Sequence, residues 1–222
     1  MGSVPDHANL RAEIAASAAR LIAEEGIDYG RAKQRAAHQL MGARRNSRSV
    51  LPDNAQVESE LRRHLQTFAG DTHPALLGAL RRLAVQWLGR LAQFNPHVVG
   101  SVLNGTATEH SDLHLQLFTD NVKDVEMYLL NQRIAFDVGE GTGASADDGS
   151  AEAPEEVVSF VVQPVAGSGL PARIGVVLAI HRTDAIRVAP RLRSSDPSLH
   201  VVAASGRANA SQLEQLLAAE SR

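Results

Sequence analysis

Cysteine is missing from the 222-residue sequence, which excludes disulfides, thiolate nucleophiles and cysteine-ligated zinc; any chemistry must rest on oxygen and imidazole. Lysine occurs only at positions 33 and 123, beside abundant arginine and alanine, a bias we read as GC-rich coding without functional meaning. No apolar run approaches the roughly eighteen residues of a membrane helix, and the first twenty residues hold no short apolar signal core. These absences predict a cytoplasmic protein without membrane association. What is present, 44% apolar and 21% charged residues, suffices for one domain with a sizeable appendage or for two small ones.

Charge of one sign is also missing locally, although the net charge is only −3. Between Tyr29 and Pro52 there is no acid, while Arg31, Lys33, Arg35, Arg44, Arg45 and Arg48 are basic; from Ile134 to Ala172 there is no Lys or Arg among seven acids. The basic front has the charge to hold a nucleic acid or a triphosphate tail. It lacks the interleaved aromatics that stack single-stranded bases, and pairing of its charges with acids of this or another copy is the simpler expectation.

Hydrophobic spacing divides the chain into a helical region over 1–73 and a mixed domain over 74–222. Leu10, Ile14, Ala18, Leu21 and Ile22 form a helical stripe ending at Gly26. Asp53 and Gln56 form a capping box ahead of Val57, Leu61, Leu65 and Phe68. Arg11 to Gly26 resembles the opening helix of TetR-type repressors, but the Arg/Ser-rich stretch from Met41 to Pro52 is no recognition helix. A long helix is expected from Pro74 through Leu77, Leu80, Ala84, Trp87, Leu88, Leu91 and Phe94, broken at Asn95-Pro96. Val122, Val125, Leu129 and Leu130 predict another, and Ser211 with Glu214 caps a last one. The Gly-, Ser-, Ala- and acid-rich stretch 139–154 reads as a mobile loop, and Gly167-Ser168-Gly169 as the turn of a hairpin between two apolar strands.

Between these elements lies Gly100-Ser101-Val102-Leu103-Asn104-Gly105, then Ser111-Asp112-Leu113-His114-Leu115. A Gly-Ser corner lets backbone N–H groups approach a polyphosphate unobstructed. In the following strand Leu113, Leu115 and Leu117 share one face, leaving Asp112, His114 and Gln116 on the other, toward a cleft. His110, Asp112 and His114 alternate in a way that would align three metal ligands on an extended strand.

Over about twenty residues this run resembles the nucleotidyltransferase superfamily, typified by DNA polymerase beta, the CCA-adding enzymes and the minimal nucleotidyltransferases. Gly100, Ser101, Gly105, Ser111, Asp112, Leu113 and Leu115 take the family's places, and His114 stands where the second acid of its Asp-x-Asp pair belongs. The resemblance implies an α+β fold: a nucleotidyltransferase-like mixed β-sheet with flanking helices, preceded here by the helical region. It implies that Gly100, Ser101 and Gly105 bind a nucleoside triphosphate, that Asp112 is catalytic, and that a divalent ion sits on Asp112 and His114. Imidazole suits manganese better than magnesium. For the third acid, Asp137 in Ile134–Val138 has the family's form, whereas the acid-free segment Arg173–Ile180 would leave the triad with one member. The expected function is that of a catalytically degenerate relative that binds a nucleoside triphosphate or a partner. An active metal-dependent nucleotidyltransferase and a nucleic-acid binder using the basic front are the alternatives.

Overall fold

The computed structural model describes residues 4–42, 50–139, 153–188 and 199–220, and the chain divides into two compact units, Met1–Pro74 and Ala75–Arg222. The first unit is helical, and α1 (Val4–Glu25) packs against both α2 (Tyr29–Met41) and α3 (Asn54–Phe68). Gly26 ends α1 in the left-handed region at φ 66°, its N–H reaching the carbonyl of Ile22 at 3.1 Å. Asp53 and Gln56 form the expected capping box. Ile14, Ala18 and Leu21 meet Ala32, Ala36, Val57 and Leu61 in a closed core, the alanines of α2 allowing its backbone to come close. Phe68, expected to end the α3 stripe, is 76% exposed.

The second unit is α+β. Its five-stranded sheet has the order β1-β2-β5-β4-β3, from β1 (His97–Val99), β2 (Leu113–Phe118), β3 (Asp137–Gly139), β4 (Glu156–Val162) and β5 (Ile174–His181). Only β2 and β5 run parallel; the other neighbours are antiparallel. The two-residue period sets the faces. Leu113, Leu115 and Leu117 join Val158, Phe160, Val176, Leu178 and Ile180 in one core, with Leu80, Trp87 and Leu88 of α4 (His73–Arg90) and Val125 and Leu129 of α6 (Val122–Asn131). The β4–β5 hairpin turns through Gly167 and Gly169, both at positive φ, as expected.

Several local expectations need correcting. The long helix stops at Arg90; a 3₁₀ turn over Ala92–Phe94 follows, and Asn95 adopts a left-handed φ of 48° that lets the chain reverse into β1. Gly100–Asn104 is a short helix, α5, rather than a bare turn. Leu130 is 57% exposed, so the α6 stripe ends at Leu129. The last helix, α7 (Ala210–Glu220), is capped by Asn209 and Gln212, not by Ser211 and Glu214: Asn209 N–H donates to Gln212 Oε1 at 2.9 Å and Gln212 N–H to Asn209 Oδ1 at 3.0 Å. Of the expected loop 139–154, Gly139 closes β3 and residues 140–152 lie outside the described residues.

At the sheet end nearest α6, Glu156 and Glu126 share a side-chain hydrogen bond beside Lys123. Burial and the neighbouring carboxylate hold Glu156 above its usual pKa, while the Lys123 ammonium holds Glu126 below its own. An acid whose folded pKa is raised loses stability as pH climbs through that pKa. Glu156→Gln should therefore gain about 0.5 kcal/mol over the parent at neutral pH, the scale of a screened surface pair. The gain should vanish below pH 4, which urea titrations at both pH values would check.

Candidate functional site

The motif is assembled by β1, α5 and β2. Val99 pairs with His114 across the antiparallel β1–β2 ladder, and the chain then turns at Gly100, whose φ of +71° favours glycine. A Cβ there would lie 3.9 Å from His114 Cβ, so the turn sits directly beside the imidazole-bearing strand. No side chain caps the N-terminus of α5, and Ser101 is half-buried. Gly105 lies at the other end of that helix. Its φ of +83° terminates α5, and its N–H bonds to the Ser101 carbonyl at 3.0 Å, so this glycine shapes the turn from the far side.

What fastens α5 is Arg81 of α4, only 1% exposed. Its Nε donates to the Val102 carbonyl at 2.9 Å, its Nη2 to the Leu103 carbonyl at 3.0 Å, and its Nη1 to the Glu220 carboxylate. A rigid guanidinium thus satisfies the orphan carbonyls of a helix too short to cap itself.

Between α5 and β2 the chain holds itself by local bonds. Thr106 Oγ1 donates to Asn104 Oδ1 at 2.7 Å, and Thr108 N–H to Ser111 Oγ at 2.9 Å. Ser111 is thereby a turn residue. His110 belongs to the same turn, 3.7 Å from Glu109, and does not continue the strand. Among the described residues no three His, Asp or Glu side chains converge as a metal site, so the expected trio of His110, Asp112 and His114 is not assembled.

Asp112 and His114 do share a face by the two-residue period, with Gly100 beside His114. The register continues that face across β5, where Asp112 falls opposite Gly175 and His114 opposite Val177, and β5 offers no acid. Asp137 is in the same row, through Ser159 and Val177, yet three strand steps from His114, about 14 Å at ordinary strand spacing. The structure therefore does not bring Asp137 to Asp112.

Nor is the whole second face of β2 open, as the alternation suggested. Gln116 and Phe118 are buried; Phe118 packs edge-on to His97 and stacks on His181, while the Arg207 guanidinium lies 5.2 Å over its ring. Arg207 also donates to the carbonyls of Ile186 at 2.8 Å and Val188 at 3.2 Å, fastening the 3₁₀ segment Thr183–Arg187. Burial, with a smaller push from Arg207, lowers the pKa of His97 against the raising effect of the Asn95 carbonyl. The exposed part of this face is thus the end bearing Asp112, His114, Gly175 and Ser159.

No protein-family model, curated protein or solved structure matches this chain. The reading of the site therefore rests on its own geometry. Two residues that sequence reasoning passed over matter to it, and both left a trace. Arg81 interrupts the apolar stripe between Leu77 and Ala84, a buried position for a charge. Gly175 interrupts an otherwise branched, apolar strand, the usual mark of a close approach. The approach is real: a Cβ at Gly175 would stand 2.3 Å from Asp112 Oδ1 and 2.7 Å from its Cγ. The Asp112 carboxylate occupies the space a side chain at position 175 would fill.

Gly175→Ala should consequently displace the Asp112 carboxylate while leaving the fold intact, because Asp112 is exposed and can swing aside. The expected cost is under about 1 kcal/mol in urea unfolding. The Asp112 carboxyl resonance in heteronuclear NMR spectra should shift clearly; unchanged spectra would refute this packing.

Proposed function

We propose that the Ala75–Arg222 unit is a nucleotidyltransferase-like module that has lost catalysis and binds a nucleoside triphosphate at the Gly100–Ser101 turn. The resemblance of the motif is supported by its setting: a strand, a glycine turn into a helix, and an antiparallel strand that Asp112 immediately precedes. The observation that carries the loss of catalysis is the identity of β5 as the immediate neighbour of β2. On the face of Asp112 it presents Gly175, Val177, Ala179 and the buried His181, none of them a carboxylate. Nucleotidyl transfer by two ions needs carboxylates that bridge them, and one aspartate with one imidazole does not fit a magnesium pair. That donor set fits at most a single softer ion such as manganese, completed by oxygens of the triphosphate.

The basic front is a weaker basis for function. Arg31 lies 3.3 Å from Asp28, Arg35 pairs with Glu25, and Lys33 donates to Asn54 at 2.6 Å; Arg44, Arg45 and Arg48 lie outside the described residues. The described cations are engaged within their own unit.

Calorimetric titration with ATP and the other nucleoside triphosphates, each with magnesium, manganese or chelator, tests the proposal. Manganese-dependent binding is expected, weakened at least tenfold in Asp112→Ala, with no pyrophosphate release. Release of pyrophosphate with magnesium would overturn the loss of catalysis, and absence of binding under every condition would overturn the nucleotide site.

A further inference from the structure

A groove of about 450 Å³ opens away from the motif, between α4 and the β4–β5 hairpin. Trp87, Pro164 and Leu170 give it an apolar floor, and Arg82, Gln86 and Arg90 of α4 border it. Among the described residues that line it there is no acid. Neither arginine meets a carboxylate among the described residues; Arg90 instead lies 5.0 Å over the Trp87 ring, and Tyr128 Oη holds the Arg90 carbonyl at 2.8 Å. The two arginines are eight residues apart on one helix, about 12 Å along its axis. Both guanidiniums lean toward the helix N-terminus, Arg82 over Gly78 and Arg90 over Trp87, so that spacing carries through to the charges.

We propose that this groove docks an acidic peptide segment of a partner protein, bound in extended form with apolar side chains on Trp87 and Leu170 and two carboxylates on Arg82 and Arg90. Charge complementarity selects this occupant. Two guanidiniums that meet no carboxylate among the described residues, above an apolar floor, call for anionic groups on an apolar body. Their separation matches acids four residues apart in an extended chain, at about 3.3 Å per residue. Arginine stacked on tryptophan is also already desolvated on one side, so it loses less water when a carboxylate arrives.

The chain's single tryptophan lies in the groove, so the full-length protein reports occupancy through its own fluorescence. The probe is a short synthetic peptide of leucines and prolines with two glutamates four residues apart. The controls are the same peptide with glutamines, and a linear aliphatic dicarboxylate of matching length. The acidic peptide should shift Trp87 emission and bind at micromolar concentration, weakening with added salt. Replacing its glutamates by glutamine, or making Arg82→Glu in the protein, should weaken binding about tenfold with the urea midpoint unchanged. An unchanged emission with no calorimetric heat would overturn the proposal. So would equal affinity for the glutamine peptide, or equal affinity for the dicarboxylate, which would make the groove a pocket for small acids.

Discussion

Arg81→Met should destabilise the Ala75–Arg222 unit by about 3 kcal/mol, the largest effect expected of any single substitution outside the apolar core. The side chain is buried and donates to the Val102 and Leu103 carbonyls as well as to Glu220. Methionine fills much of the space but donates nothing, and leaving a buried acceptor without a partner costs about 1–3 kcal/mol. Two such carbonyls set the expected size. Glu220→Gln should cost less than about 1 kcal/mol, because that carboxylate is 46% exposed and water can replace the arginine. Arg81→Lys should recover only part of the loss, since a point ammonium cannot span both carbonyls as a planar fork does. Urea unfolding followed by circular dichroism separates these values. An Arg81→Met loss below about 1 kcal/mol would show that the α5 carbonyls are satisfied without the guanidinium.

The second large effect is a gain. His114→Asp adds a second carboxylate two residues from Asp112, and Val177→Asp adds a third directly across the parallel ladder, about 4.8 Å away in strand spacing. The double variant should bind magnesium at least tenfold more tightly than the parent, and His114→Asp alone should improve little, because three oxygen donors on one face make the hard-cation site that two do not. Val177 is half-buried and the row is partly open, so the substitution should be tolerated. Isothermal titration with magnesium decides the matter: equal affinity in the parent and the double variant would mean that this face does not converge on a cation at all.

The elements legible in the sequence were those whose information is local. The alternation of Leu113, Leu115 and Leu117 marks the core face of β2, and all three are fully buried. The stripes of α1 and α3, the Asp53–Gln56 box and the Gly167–Gly169 turn follow the same logic. The cap of the last helix shows where local logic fails. Asn209/Gln212 and Ser211/Glu214 both have the capping pattern. The choice falls to the earlier pair because Ala208 exchanges two backbone bonds with Val98, at 2.8 and 3.0 Å, and so holds the chain extended up to Asn209. The candidate site was left open for the same reason at larger scale, between Asp137 and the acid-free segment Arg173–Ile180, and the pairing of β2 with β5 realises the second. Whether Asp112 has an acid beside it depends on which strand pairs with β2, and nothing in the spacing of residues 112–118 names β5. Gly175 and Arg81 left signals, but as interruptions in apolar patterns, whose partners appear only once the strands and α5 are placed.

The parallel pairing of β2 with β5 also governs the order in which the chain can fold. About sixty residues separate Leu113 from its partner Val176, and α6, β3 and β4 must be gathered before that ladder closes. The β4–β5 hairpin and the β1–β2 ladder each join neighbours in sequence and can form early, whereas their union carries the loop-closure entropy of the whole insertion. The helical Met1–Pro74 unit has no such debt. On the ribosome it can be complete before β5 has been synthesised, leaving the sheet's central seam as the last and slowest event, and an unjoined β2 edge as the chain's most aggregation-prone moment.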